Sequence, residues 1–306
     1  MNAKVDISED YIRDYDAAVL NTLLIDRTTG KNIFWATSDY EEHGEGFEYS
    51  SPILPKLITG KHIRVIRPRI LKARELQSAR ARGMAEVFTP SWVCNAQNNL
   101  IDEAWFGRKN VFNIENEDNT WTTIEDKVEF PDGKTWKDYV KDTRLEITCG
   151  EAPYLTSRYD ATTGEPIEVK NRIGIIDRKL RVVGENANSS KEYLEMAREA
   201  YKSTYAYEWQ GDSLLLAREA LLFTFIEHYQ DNYGKEPQKN SIQSIANIIS
   251  WNIFQMDGLK CVIPNSCNQF CKGCKYGTPH GHNGIPVIIY DWHTNIIIPF
   301  SSLLPQ

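Results

Sequence analysis

Three loops carry residues suited to holding a nucleoside-like ligand. The stretch LEITCGEAPYL at 145–155 ends a β-type run in Cys149-Gly150. A glycine there lets the backbone approach a ligand closely, because it has no Cβ and tolerates positive φ. In TYAYEWQGD, Glu208 stands where a strand gives way to a helix. At that place in doubly wound sheets a carboxylate accepts hydrogen bonds from ribose hydroxyls, and the neighbouring Trp209 ring suits an adenine face. Asp257, before Gly258, offers an acceptor to an adenine amino group. Each alone reads as well as an ordinary turn or a core tryptophan.

A second chemistry lies near the C-terminus. CNQFCKGCKYGTPHGHNG supplies Cys267, Cys271, Cys274, His280 and His282. Cys-x-x-Cys followed by histidines suits a tetrahedral structural zinc, with one of the five left out; the competing reading is free thiols in a glycine-rich loop. A third feature is electrostatic. Residues 61–84 hold eight basic side chains against one acid, so this segment carries +7 and the rest of the chain −14, against a total of −7. Arg67, Arg69, Lys72, Arg74, Arg80 and Arg82 belong to it and suit the backbone of double-stranded DNA. The alternative is a solvated helix face paired with acidic neighbours.

The elements that position these residues follow from patterning. Residues 18–36 read as a β-hairpin around Arg-Thr-Thr-Gly, and 68–82 as a helix. Thr89 and Pro90 form an N-cap and first-turn pair for a helix through Val93, Ala96, Leu100, Ile101 and Ala104. A strand is expected at 143–150, a helix at 190–202, a strand ending in a loop over 203–212, a long helix capped by Asp212, and another helix over 241–253. This order implies an α/β protein with a largely parallel sheet.

The succession Phe-Thr-Pro, Glu-x-x-Cys-Gly, Tyr-x-Tyr-Glu, Asp-Gly-Leu resembles the amino-group (adenine-N6) DNA methyltransferases of restriction-modification systems. EVFTPSWVCNAQNNLIDEAWFGR, TRLEITCGEAPYLTSRYD and YAYEWQGDSLLLARE are similar to bacterial proteins labelled restriction endonuclease subunit M, from about Ile66 onward. The resemblance implies a Rossmann-like S-adenosylmethionine-dependent methyltransferase fold, incomplete, with a small Cys/His zinc-knuckle insertion near the C-terminus. It implies a β-rich extension over 1–65, a cofactor-binding domain over 66–260 and a Cys/His-rich segment over 261–306. Phe88, Thr89 and Pro90 would line the methionine end of S-adenosylmethionine, Glu146, Cys149, Gly150 and Ala152 form the cofactor turn, Glu208 take the ribose, and Asp257 the adenine. The expected function is modification of DNA in a restriction-modification or phage-defence system, alongside a separate restriction or specificity subunit. The other reading is an inactive cofactor- and DNA-binding subunit.

Three departures stand out. Ala152 replaces the second glycine of the turn. About 60 residues separate Glu146 from Glu208, which implies an insertion over 156–202 and makes Asp177 a rival ribose ligand. No Pro-Pro pair occurs, so the Asn/Asp-Pro-Pro-aromatic segment that holds a flipped base is missing. The nearest substitutes are Asn265, after Pro264, and the pair Asp291 and Trp292 after the apolar run IPVIIY.

The 306 residues, 41% hydrophobic and 11% aromatic, exclude a disordered chain. No apolar run approaches a membrane span and the acidic first 20 residues do not make a signal peptide, so a cytoplasmic protein is expected.

Overall fold

The computed structural model describes residues 7–72, 89–267 and 284–304. The centre is a three-stranded parallel sheet, with strands β3 (Arg144–Glu146), β4 (Thr204–Glu208) and β5 (Ile253–Gln255) in the order β3-β4-β5. Each crossover contains two helices. Between β3 and β4 run α5 (Ile175–Asn186) and α6 (Ser190–Lys202); between β4 and β5 run α7 (Gly211–Tyr233) and α8 (Lys239–Asn252). The stretch 156–202 is therefore the crossover itself rather than an insertion.

Side-chain alternation divides the sheet into two faces. Ala206 and Ile253 join the large core built with the helices, whereas Tyr207 and Phe254 join a smaller cluster with Met256, Ile263, Val287, Ile289 and Phe300. The second face is thus covered by the C-terminal ribbon β6 (Ile288–Asp291) and β7 (Ile296–Pro299), where Tyr205 also donates its hydroxyl to the Tyr290 carbonyl. A further antiparallel pair, β1 (Asn113–Glu115) and β2 (Trp121–Thr123), and the short helix α4 (Trp136–Lys141) precede the sheet. Thr135 and Asp138 close the first turn of α4 with a reciprocal capping box.

The N-terminal segment corrects the expectation of a β-rich extension. Helix α1 (Glu9–Leu24) covers most of the expected first strand, and a single turn α2 (Pro55–Ile58) follows later. Val19, Leu20, Leu23 and Leu24 recur on one helical face that packs on α8, and burying that stripe outweighs the β-propensity of the run. Only the turn survives from the hairpin: the Asp26 carboxylate accepts from the N–H groups of Thr28 and Thr29, and one bridge joins Ile25 to Asn32. Residues of this segment share the large core with the sheet helices, so no core of its own sets 7–65 apart.

One buried side chain ties the segment to the sheet. Arg218 of α7 donates to the carbonyls of Leu23, Ile25, Ile253 and, at 3.4 Å, Ser250. It thereby joins the end of α1 to the junction of α8 and β5. Leaving a buried acceptor unpaired costs about 1–3 kcal/mol. Arg218→Met is expected to lower stability by about 3 kcal/mol or more, read from urea unfolding; a loss under about 1 kcal/mol would show that water replaces the guanidinium.

Candidate functional site

An open cleft of about 940 Å³ lies at the carboxyl ends of β3 and β4, where open parallel sheets place their ligands. Thr89, Glu146, Cys149, Gly150, Glu208 and Trp209 all line it. Six residues expected from the sequence to hold a cofactor therefore meet, although they span 120 positions of the chain. Helix α3 (Ser91–Phe106) forms the opposite wall through Gln97, Asn98 and Ile101. The loops before α2 supply Ala36 and Tyr49, which sequence reasoning missed because no local pattern links them to the sheet.

Glu208 organises the turn. Its carboxylate accepts from the N–H groups of Gly150 at 2.8 Å, Trp209 at 2.8 Å and Gln210 at 3.3 Å. Burial raises its pKa against these hydrogen bonds. Trp209 donates its indole N–H to the Tyr49 hydroxyl at 3.0 Å, which fixes the ring at the cleft edge. Burial also pushes Glu146 well above the usual carboxylate range; the N–H groups of Tyr154 and Leu155 oppose that shift, and the charge of Glu208 adds to it. The buried Glu146 Oε2 has no hydrogen-bond partner among the described residues. Burial, followed by the charges of Glu146 and Glu208, raises the Cys149 thiol well above its ordinary value, so it is no thiolate nucleophile.

The turn is conformationally costly. Thr148, Gly150 and Ala152 have φ of 48°, 55° and 59°. Position 152 is therefore left-handed, and the Ala152 methyl points into the core instead of into the cleft. Exposed, β-branched Thr148 bears the clearest strain.

Other expected residues stand elsewhere. Pro90 does not line the cleft; it precedes α3 by one residue without a side-chain cap, and Phe88 lies outside the described residues. The first helical N–H, of Ser91, donates to Asp160 at 3.2 Å, a carboxylate of the chain itself. Asp257 closes its own turn, accepting from the N–H groups of Leu259 and Lys260, and is not part of the cleft lining. Asp177 is buried in α5, with oxygens engaged by Ser157 and His228, and is no ribose ligand here. Asp212 lies inside the first turn of α7 instead of capping it, and accepts from Tyr40 and from Lys72.

Asp291 and Trp292 are the largest correction. The Asp291 carboxylate caps the β6–β7 turn, accepting from the His293 N–H and the Thr294 hydroxyl. Trp292 donates to Asn252 at 2.7 Å, and Asn252 in turn donates to the carbonyls of Tyr201, Lys202 and Thr204. Both therefore sit at the amino ends of β4 and β5, opposite the cleft, and cannot act on a ligand in it. Asn265 does not line the cleft either.

The basic segment divides. Lys72 is buried in an ion pair with Asp212 at 3.2 Å, with side chains 4% and 0% exposed, so it does not reach DNA. Arg67 is exposed, its Nε donating to the Arg64 carbonyl, and the backbone N–H of Arg69 donates to Glu151. Arg74, Arg80 and Arg82 lie outside the described residues, as do Cys271, Cys274, His280 and His282; of the expected zinc ligands only Cys267 is described. Among the described residues no group of three or more His, Cys, Asp or Glu side chains could hold a metal ion, and no helix is long and apolar enough to cross a membrane.

In comparisons with protein-family models, curated proteins and solved structures, nothing matches this chain.

Two outcomes follow from the turn. The folded chain holds Glu146 above its ordinary 4.5, so the protonated carboxyl contributes stability that is complete below that value and is lost as pH rises through the folded value. Glu146→Gln should therefore raise the Tm at pH 8 and leave it nearly unchanged at pH 4; an equal gain at both would refute a titrating Glu146. Thr148→Gly relieves a left-handed residue costing about 1–2 kcal/mol, partly offset by glycine's own entropy of about 0.5–1 kcal/mol. The net expected gain is about 0.5–1 kcal/mol, checked by chemical denaturation.

Proposed function

We propose that the cleft binds S-adenosylmethionine and that the chain is a DNA adenine-N6 methyltransferase-like modification protein of a restriction-modification or phage-defence system. The observation that carries this reading is the convergence of Thr89, Glu146, Cys149, Gly150, Glu208 and Trp209 on one cleft at the carboxyl ends of two parallel strands. The lining suits the cofactor: half-buried carboxylates suit a cationic molecule, and an aromatic ring with a neighbouring carboxylate suits an adenosyl group. Three parallel strands in sequential order match one half of a doubly wound sheet.

Bound there, S-adenosylmethionine would supply an electrophilic methyl group. The chain's own part is to orient the nucleoside through Glu208 and Trp209 and to offset the positive charge through Glu146. With Asp291 and Trp292 at the far end of the sheet, the described cleft contains no expected group for a target amine. That observation favours the second reading, an inactive cofactor- and DNA-binding subunit acting as a specificity, regulatory or anti-restriction partner.

Titration calorimetry with S-adenosylmethionine tests the shared step. Saturable binding is expected, weakened about tenfold by Glu208→Gln, which removes one charge-assisted acceptor. Absence of binding would refute both readings. Transfer of a labelled methyl to adenine-containing DNA then separates the enzyme from the inactive subunit.

A further inference from the structure

Trp209 and Tyr49 both line the cleft, and the hydrogen bond between them has only one possible direction. An indole N–H donates and never accepts. The Tyr49 oxygen, 3.0 Å from it, is therefore the acceptor, and the hydroxyl proton is left over. The other hydrogen bonds of Tyr49 run through its backbone: the N–H donates to Glu41 at 3.3 Å and the carbonyl accepts from Ala36 at 2.8 Å. Among the described residues nothing accepts from the hydroxyl. A hydroxyl whose oxygen already accepts is the stronger donor, because hydrogen bonds in series polarise one another.

Both side chains are held in place, yet neither serves the core. The Trp209 N–H donates to Glu208 at 2.8 Å, and its carbonyl accepts from Nε2 of the buried Gln255 at 2.8 Å. With its backbone and its indole N–H all engaged, the ring has one position. It is half-buried, but it joins neither apolar cluster of the protein, and the same holds for Tyr49. Trp35 packs on Tyr40 and Phe47, Trp105 on Phe106 and Tyr139, and Trp292 on Tyr290. Trp209 has no such ring neighbour among the described residues. An aromatic face and a hydroxyl proton fixed at a cleft without internal partners are preorganised for a ligand.

We infer that Tyr49 is a ligand-binding residue, whose hydroxyl donates to an unprotonated ring nitrogen of a purine stacked on Trp209. The indole N–H lies in the plane of its ring, so a hydrogen-bonded Tyr49 oxygen stands at the rim of the indole. Stacked aromatic rings are offset from one another. That offset carries the edge of the ligand over the rim, where the leftover proton points to an acceptor. A purine matches the bicyclic indole in extent and has ring nitrogens along its edge, whereas a purely carbocyclic ring offers the hydroxyl nothing. Tyr49 thereby selects for a heterocycle as well as holding the surface on which it stacks. That this heterocycle is the adenine of S-adenosylmethionine rests on the cofactor reading.

Calorimetric titration of the full chain with adenosine and with 1-deaza-, 3-deaza- and 7-deazaadenosine, each lacking one ring nitrogen, tests the contact. One of the three analogues should bind the unsubstituted chain about threefold to tenfold more weakly than adenosine, the loss of one hydrogen bond. Tyr49→Phe should weaken adenosine by the same factor and leave the affinity for that analogue unchanged, while the other two analogues lose affinity as adenosine does. A Tyr49 that only holds the Trp209 ring would weaken adenosine and all three analogues alike, and that result overturns the proposal. So would adenosine binding indifferent to Tyr49→Phe, three analogues that bind the unsubstituted chain as well as adenosine does, or no adenosine binding at all. The cofactor reading fails separately, when adenosine binds and depends on Tyr49 but S-adenosylmethionine does not bind.

Discussion

The Arg218 guanidinium is the constraint on which the cleft depends. It sits within α7, fully buried, and satisfies carbonyls that the end of α1 and the junction into β5 would otherwise leave unpaired. Because those carbonyls belong to segments far apart in the chain, one side chain fixes where the N-terminal loops pass over the sheet. From there the consequences run outward. The Trp35 carbonyl accepts from Gly211, where a Cβ would fall 2.1 Å from the Phe34 carbonyl oxygen, and Gln255 exchanges hydrogen bonds with Phe34. These contacts bring Ala36 and Tyr49 to the cleft, and Tyr49 then holds Trp209.

A second constraint works at shorter range. Glu208 ends β4, yet it bonds the backbone that follows β3, so the carboxylate locks two strand ends together. Its raised pKa and that of Glu146 share one cause, the withdrawal of both from water. Two carboxylates held in this way disfavour their own ionisation.

What was legible in the sequence was local. The 190–202 helix is readable without tertiary help, and β3 and β4 follow from short β-rich runs that end at Cys149-Gly150 and near Glu208. The cleft residues were legible for the same reason: each closes a strand or opens a helix. Residues 18–24 misled because threonine, valine and leucine satisfy both periods, and only packing against α8 decides between them. Lys72 reads as a DNA contact in the sequence because its partner Asp212 stands 140 positions away. Asp291 reads as a group for the target base and Asp257 as an adenine acceptor because an aspartate after an apolar run looks the same whether it closes a turn or faces a cleft. Which end of the sheet a strand delivers its last residue to is a property of topology, and β6 belongs to a different sheet from β3.

The pairing of distant segments also bears on the order in which the chain acquires structure. The contact of Gly150 with Glu208 closes 58 residues, and that of Arg218 with Leu23 closes 195. Loops of that size lose much entropy before any contact rewards them, and parallel strands cannot form early as a hairpin does. The helices can reach their native form from local information, whereas the cleft must wait until both crossovers are docked. The assembled cleft therefore reports on the completed topology as a whole, and during synthesis it arises only after β5 has left the ribosome.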